Sequence, residues 1–380
     1  MNINLDYAMF AKGDNKDDVE VIKNSLVDVT LASLYKNYGK TGLVSEFKMD
    51  NYDQVAKDVK DAMFAFAANK AGIKVPGKKN EVLAFFNNPV AESIFNSIIA
   101  ETIADVRIRV TSPQLMAMAE IIPVEPGDSY TWEIETKALP VVQKASLASN
   151  VAYLQSWSKS AITISPEEYS VASTMDFIRI LAADYDLGKE IARMVYATLM
   201  QEYSAVATII FATSGALATK TPFYKSTWNA ADYVKIAEYV SALNGGMGVT
   251  AYGTKLAFNA ISALATSSFG FAMQDRLIED GYLGKIYGVD SVLLDQVVNF
   301  KAPLGTSLAG LTGIIPDNLI VLLSSVGDKP VKLVRSTYVR VKKDDPQDGA
   351  LNRVVYRYFF GYNAALATQA HFGLQSTSAG

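Results

Sequence analysis

The sequence has 380 residues, enough for two or three domains and for a full hydrophobic core without disulfides or metals. Half of the residues are hydrophobic and 19% are charged, which is typical of a globular chain and excludes a disordered one. The 35 basic residues are outnumbered by 39 acidic ones, and the net charge of −4 argues against a dedicated nucleic-acid-binding protein.

The N-terminal part of the chain has helical periodicity. Apolar residues recur at helical spacing in three stretches, 17–39, 51–72 and 88–104. Asn51 with Gln54 is a capping-box signal for the second stretch, and Asn88 followed by Pro89 is typical of a helix N-terminus. The sequence therefore predicts an α-rich N-terminal segment.

The pattern changes at Val106, where the letters RIRV alternate and prolines then recur too often for long helices, so strands are predicted from this point. Between Ile121 and Pro140, two extended runs flank a Pro-Gly-Asp turn, which predicts a β-hairpin. In the second run Trp132 and its alternate neighbours are separated by charged residues, so one face of this strand should be solvated. Strand alternation resumes at Ser160.

The longest predicted helix comes next. Asp184 or Asp186 can cap it, an apolar stripe continues along it, and Gly215 lies just beyond its end. A helix of about 25 residues is a rod of ~37 Å, long enough to span a domain. Asn229 can cap a further helix that stops at the Asn-Gly-Gly sequence beginning at Asn244.

Two β-rich runs lie near the C-terminus, VKLVRSTYVRVKK and NRVVYRYFFGYNAALATQAHFGL, and the turn-forming letters DDPQDG between them predict a hairpin. The first run is basic and carries Arg335, Arg340, Lys342 and Lys343. The aromatic platform of a nucleic-acid reader does not interleave with these residues. The basic strand could face nucleic acid or pair with acidic residues of a neighbouring chain, and we favour the pairing.

The absence of cysteine and the presence of a single histidine exclude several kinds of site. Disulfides, thiolate nucleophiles and cysteine-ligated zinc need cysteine, and a two-histidine metal centre needs a second histidine. No apolar run approaches the roughly 18 residues of a membrane span, and the N-terminus lacks an export signal. We expect no metal, no cofactor and no membrane contact.

Two glycine motifs resemble nucleotide-binding loops in letters alone. The sequence 39–41 is Gly-Lys-Thr, but Leu34 stands where a phosphate-binding loop needs its first glycine. The sequence 246–248 with Ala251 matches the dinucleotide fingerprint, yet it follows a predicted helix where the fingerprint follows a strand. A nucleotide-dependent enzyme is therefore a remote alternative.

The remaining polar residues do not form a convincing catalytic set. The adjacent acids at Glu167 and Glu168 should point to opposite faces of a strand, and those at Asp344 and Asp345 should be solvated in a turn. His371 should lie on a terminal strand. We predict an α+β protein that assembles, and not an enzyme.

The order of these elements resembles that of the major capsid protein of tailed bacteriophages, the Hong Kong 97 type. The run AEIIPVEPGDSYTWEIETKALP looks like its extended-loop hairpin, and DLGKEIARMVYATLMQEYSAVATIIFATSG looks like its long spine helix. Three runs together resemble the axial domain: FNAISALATSSFGFAM, GYLGKIYGVDSVLLDQV and IIPDNLIVLLSS. The strands from VRVKK to HFGL are similar to those that rejoin the peripheral domain.

The resemblance divides the chain into four parts: a helical arm (1–118), an extended loop (119–160), a peripheral domain (161–214 with 334–375) and an axial domain (215–333). It implies a virion shell of hexamers and pentamers around double-stranded DNA, assembled in the host cytoplasm. The DNA contact would be weak and non-specific, and scaffold, portal and cement proteins are implied as further partners.

In such a shell the extended loop lies across the adjacent subunit. Trp132, Lys137 and Lys144 would then contact that neighbour, as would the basic strand. Aromatic residues such as Trp132 are typical anchors of protein interfaces.

Two alternatives stay open within the resemblance. A bacterial encapsulin uses the same fold for a cargo compartment, although the large helical N-terminal segment favours a phage protein. Some relatives join a lysine of the extended loop to an asparagine of a neighbour through an isopeptide bond. Lys137 or Lys144 would donate and Asn352 or Asn363 would accept, but no glutamate here is placed by a specific motif.

Overall fold

A computed structural model of the chain describes residues 16–39, 47–110, 112–135, 159–176, 186–213, 217, 223–265, 284–296, 313–325, 328–344, 353–367 and 371–378. Among these residues no helix is long and apolar enough to cross a membrane. The same ranges contain no group of three or more His, Asp or Glu side chains that could hold a metal ion.

The described helices are α1 (Lys16–Tyr38), α2 (Tyr52–Lys70), α3 (Lys79–Asn87), α4 (Pro89–Arg109), α5 (Pro113–Met118), α6 (Leu187–Ala212), α7 (Ala230–Leu243) and α8 (Lys255–Ala265). The described strands are β1 (Ala119–Val124), β2 (Tyr130–Glu135), β3 (Lys159–Ile164), β4 (Glu167–Asp176), β5 (Tyr224–Lys225), β6 (Val249–Gly253), β7 (Lys285–Ile286), β8 (Val289–Leu293), β9 (Leu319–Ser324), β10 (Val331–Asp344), β11 (Arg353–Leu366) and β12 (Gly373–Ser376).

A four-stranded sheet in the order β1-β10-β11-β4, here called the central sheet, packs against the main hydrophobic core. The β10–β11 pair is antiparallel, which confirms the predicted C-terminal hairpin, and β1 adds to its edge in parallel. Side chains on one face of this sheet, such as Leu333 and Tyr358, enter the main hydrophobic core together with the long helix α6. Asp186 caps α6 by accepting a hydrogen bond from the backbone N–H of Lys189, as one of the two predicted caps.

The N-terminal helices pack into this main core, so the part expected as a helical arm or an extra helical layer lies as a layer on the body of the subunit. Phe64, Phe85 and Phe95 form a cluster with ring centroids 5.1 to 6.0 Å apart. Helix α1 packs closely on α6. The two helices approach so closely at Gly188 that a Cβ atom there would collide with the side chain of Val29. The physical reason is that these helices carry large apolar faces, which only the body of the subunit can bury.

Helix α4 extends through the RIRV segment, so the prediction of a strand there is wrong. Asn88 caps the helix as predicted and accepts hydrogen bonds from the N–H groups of Val90 and Ala91. At the other end, Val106 and Val110 lie one helical turn apart and are both buried. A four-residue alternation is too short to outweigh that helical burial pattern.

The predicted Pro-Gly-Asp turn is present, but the strands beside it do not pair. The N–H of Asp128 donates to the carbonyl of Glu125 at 3.1 Å, and Gly127 has φ 87° after Pro126, as in a type II turn. Turns of this type splay the flanking strands instead of aligning them. Strand β1 therefore joins the central sheet, and β2 pairs with β3.

A six-stranded sheet in the order β5-β12-β9-β6-β8-β7 forms a second unit, with α7 packed on it. Its second strand is the C-terminal strand β12, which we had placed with the peripheral domain, so that boundary is corrected. A Cβ at Gly373 would collide with Ile236 of α7, and buried Gln375 donates to the carbonyl of Thr227. The absence of a side chain at Gly373 therefore lets this strand lie under the helix.

A buried ion cluster joins α4, α6 and β10. Glu202 is fully buried and accepts hydrogen bonds from Arg107 Nη2 at 2.8 Å and from Arg335 Nη2 at 2.5 Å. Arg335 also donates through Nη1 to the carbonyl of Arg107. Burial by itself raises the pKa of Glu202, but the guanidinium groups of Arg335 and Arg107 outweigh burial and hold that pKa below its ordinary value.

We expect Glu202→Gln to lower the free energy of unfolding by about 3–5 kcal/mol, because two guanidinium groups would remain buried without a counter-charge. Urea unfolding of the purified chain measures this. The matched control is Glu190→Gln on the same helix, whose carboxylate is partly exposed and lies 3.5 Å from Arg193. Its effect should stay within about 1 kcal/mol.

The difference between Glu202→Gln and the wild type should also depend on pH. A carboxyl whose pKa is lower in the folded state stabilises the fold above its unfolded pKa and loses this contribution as the pH falls through the folded value. The difference should therefore be full at neutral pH and shrink in acid. A difference that is independent of pH would show that Glu202 does not act through its charge.

Candidate assembly surface

The β2–β3 pair is an antiparallel hairpin on the side of the central sheet opposite the helices. Trp132 lies across from Ile162, and the register ends at Glu135 opposite Lys159. On the outer face the hydroxyls of Thr131 and Thr163 lie 2.8 Å apart. The hairpin therefore has a solvated outer face, as the alternation in the sequence predicted.

The inner face of the hairpin is fixed to its own subunit. Trp132 is 6% exposed and packs in a cluster with Val124, Ile164 and Val334. The ring of Tyr130 meets the indole edge-on at a centroid distance of 4.6 Å. The expected role of Trp132 as an exposed anchor for a neighbour is therefore corrected, because its apolar surface is already covered within the subunit.

The other two predicted residues of the extended loop, Lys137 and Lys144, lie outside the described residues. They belong to the segment 136–158, which connects the ends of β2 and β3. Their contact with a neighbour stays a prediction.

The basic strand is divided between the interior and the surface. Arg335 is 5% exposed and bound to Glu202, so its predicted role between subunits is corrected. The pleat explains this placement, since successive residues of a strand face opposite sides. Val334 faces the hairpin cluster, and Arg335 faces the helices.

Arg340 and Lys342 remain on the surface. Arg340 is 52% exposed, donates to Glu168 at 3.2 Å and lies 4.6 Å from the ring centroid of Phe359. An exposed pair of this kind contributes about 1 kcal/mol or less, so the guanidinium is available to a stronger partner. Lys342 is exposed, and Lys343 lies in β10 opposite Tyr356 in the backbone register.

The residues considered for chemistry are placed as follows. Asn363 donates through its side-chain amide to the carbonyl of Ser165 at 3.0 Å and reaches Glu167 at 3.4 Å, while Asn352 lies outside the described residues. His371 stacks on Phe223 at 5.4 Å just before β12, and burial lowers its pKa. Gly246 and its neighbours follow α7 and adopt a helix-terminating turn.

Sequence reasoning missed two features. Glu202 interrupts the apolar stripe of α6 between Leu199 and Val206, and a carboxylate at such a position was a signal of a buried counter-ion. The exposed aromatic ring of Tyr287 was also missed. Its signal was the pair Tyr-Gly between two short β runs, where Asn-Gly is the usual turn sequence.

Comparison with known proteins identifies one family by sequence. The model of the family described as "SPbeta prophage-derived putative capsid protein YonB" matches residues 30–376 of the chain. A comparison with curated protein sequences finds no match.

Comparison with solved structures finds capsids with low sequence identity. The mature capsid of bacteriophage PhiM1 is 11% identical with a TM-score of 0.45, over 69% of this chain and 86% of that one. The capsid of an empty GTA particle is 15% identical with a TM-score of 0.45, over 70% and 90%. A virus-like particle from Pyrococcus furiosus is 8% identical with a TM-score of 0.40, over 74% and 99%.

The family match extends over nearly the whole chain and includes both sheets, the hairpin and the long helix. It confirms the prediction of a phage capsid protein with an α+β fold, and it favours that prediction over a cargo compartment. The chain therefore belongs to the YonB family of prophage-derived capsid proteins.

Proposed function

We propose that this chain is the major shell subunit, which assembles into hexamers and pentamers of an icosahedral shell around double-stranded DNA. The observation that supports this most directly is the β2–β3 hairpin. Its base is fixed by the Trp132 cluster, and its far end leads into residues 136–158. A segment carried on a fixed base is suited to contact a neighbouring subunit.

The anchored base matters energetically. An isolated two-stranded hairpin is marginally stable in water, so a free one would have to be ordered during association. Here Trp132 and Ile164 order β2 and β3 within the subunit before any neighbour arrives. Pre-organisation of this kind raises affinity, because less conformational entropy is lost on binding.

The proposed partners are mainly further copies of the chain. Arg340 and Lys342 provide exposed positive charge on β10 for acidic groups of a neighbour, and Lys137 and Lys144 extend the same role to the loop. With a net charge of −4 the chain would contact packaged DNA weakly and without sequence preference. Assembly in the host cytoplasm with scaffold, portal and cement proteins belongs to the same proposal, which requires no catalysis.

Electron microscopy of the purified chain tests the proposal directly. We expect closed shells tens of nanometres across. Each contact between subunits then has to bury about a thousand square ångströms, which is enough for specific association. Monomers at every concentration would contradict the proposal. Shells that enclose a stoichiometric host enzyme would instead support the encapsulin-type compartment.

Replacing residues 136–158 by Asn-Gly should abolish assembly without unfolding the subunit. The register brings Glu135 opposite Lys159, so a two-residue turn can close the hairpin. The Trp132 cluster stays intact, and the melting temperature should remain within a few degrees of the wild type. Sedimentation velocity then reports the loss of shells.

Trp132→Ala is the contrasting variant. It should lower the free energy of unfolding by about 3–5 kcal/mol, because it leaves a cavity in the cluster with Val124 and Val334. If the loop replacement assembled like the wild type, the extended-loop assignment would have to be withdrawn. If Trp132→Ala left the melting curve unchanged, the indole would not anchor the hairpin.

Lys342→Glu should weaken assembly most at low salt, because it reverses an exposed charge on the basic strand. The Debye length is about 10 Å at 0.1 M salt and about 3 Å at 1 M, so the defect should shrink as salt is added. Light scattering during assembly measures both conditions. An equal defect at both salt concentrations would exclude an electrostatic role for this lysine.

A further inference from the structure

A strained turn joins β7 and β8, which lie at one edge of the six-stranded sheet. Ile286 pairs with Val289, so Tyr287 and Gly288 form a two-residue turn with φ of 48° and 84°. Positive φ at both positions is the geometry of a type I′ turn, in which Asn or Gly normally occupies the first position. A bulky side chain with this backbone is an outlier and is destabilising.

The subunit itself gains little from this tyrosine. The side chain is 45% exposed, and its one described ring partner is Tyr233, at a centroid distance of 6.5 Å. Tyr233 is already fully buried and packs against Trp228 as well. Strain that intramolecular packing does not offset is characteristic of functional positions.

Tyr287 forms one wall of a shallow groove of about 760 Å³, and helix α7 forms the other wall. We call this surface the tyrosine groove. The helix contributes Val234 and the 43% exposed Tyr239, and Ala230, Ala231 and Ala242 complete its wall. Tyrosine-rich, weakly charged surfaces are typical of the buried centre of protein interfaces.

The charges around the groove indicate the class of partner. Lys225 pairs with Asp232 at 3.3 Å, and Lys285 pairs with Asp290 at 3.4 Å. Within the groove, Lys235 lies 5.9 Å from the ring centroid of Tyr239, and the nearby Glu238 has the opposite charge. The surface is close to neutral, whereas a nucleic-acid surface would carry net positive charge.

We propose that the tyrosine groove is a contact surface for a second copy of this chain, with Tyr287 as its anchor. This inference rests on the proposed shell assembly and adds a second surface to it, on the other sheet from the hairpin. Strand β7 is the terminal strand of its sheet in the described part of the chain, so the turn projects at an edge that another subunit can approach. Both charge signs lie beside the groove, in the pairs Lys225–Asp232 and Lys285–Asp290, so a second copy that presents its own paired charges can approach without net like-charge repulsion.

The variant Tyr287→Asn tests the proposal, because it separates folding from assembly. Asparagine relieves the backbone strain, so the isolated subunit should melt within about 2 °C of the wild type or above it. The concentration of full-length chain needed for assembly should increase at least about tenfold, as expected for loss of an anchor side chain. Tyr287→Phe keeps the ring and should assemble like the wild type.

The control is Leu256→Asn, which removes a 63% exposed apolar side chain from α8 in the same unit but outside the groove. It should not change the assembly concentration. Wild-type assembly by Tyr287→Asn would overturn the inference and leave shell formation standing, whereas a wild-type chain that forms no shells would contradict the proposed function itself. A large loss of melting temperature in Tyr287→Asn would also overturn it, because the ring would then belong to the subunit core.

Discussion

The buried carboxylate of Glu202 is the interaction on which the arrangement of the subunit depends. It binds Arg107 from α4 and Arg335 from β10, so the N-terminal helices, the long helix and the central sheet meet at one point. Such a cluster gains little over apolar packing in stability, because three charged groups lose their hydration. The cluster instead fixes geometry. Hydrogen bonds to one carboxylate are directional, so they restrict how β10 can be placed relative to α4 and α6.

That register also determines the opposite face of the sheet. Because successive strand residues alternate, holding Arg335 towards the helices turns Val334 to the other side, where it meets Trp132. The adjacent residues Arg335 and Val334 thus connect the ion cluster on one face of the sheet with the hairpin anchor on the other. A shift of β10 by one residue would place Val334 beside the carboxylate of Glu202. It would also place the guanidinium of Arg335 against the apolar face of the hairpin.

Most local signals in the sequence predicted the local structure. The exception among the caps is Asn51, which begins α2 without a side-chain cap hydrogen bond, so the capping box predicted there with Gln54 is wrong. Asn88, Asp186 and Asn229 all cap helices as predicted, because an N-cap depends on a side chain and the next two or three backbone N–H groups. The partner of a strand was not predictable in the same way. The turn at Pro126 and Gly127 was identified, yet pairing of β1 with β10 joins residues more than two hundred positions apart, which no local pattern contains.

The aromatic residues show the same limit at the candidate assembly surface. Trp132 is the type of residue that anchors interfaces, but it is buried within the subunit. Tyr287 lies in a turn that was not predicted from the sequence, and it is exposed. Both are large aromatic residues in or beside short strands, so residue type alone cannot separate them. The two residues differ in backbone conformation. Trp132 lies in a regular strand and its indole packs in an apolar cluster, whereas Tyr287 has a positive φ that is unfavourable for a bulky residue. The backbone strain, and not the aromatic side chain as such, is therefore the observation that supports the contact proposed at Tyr287.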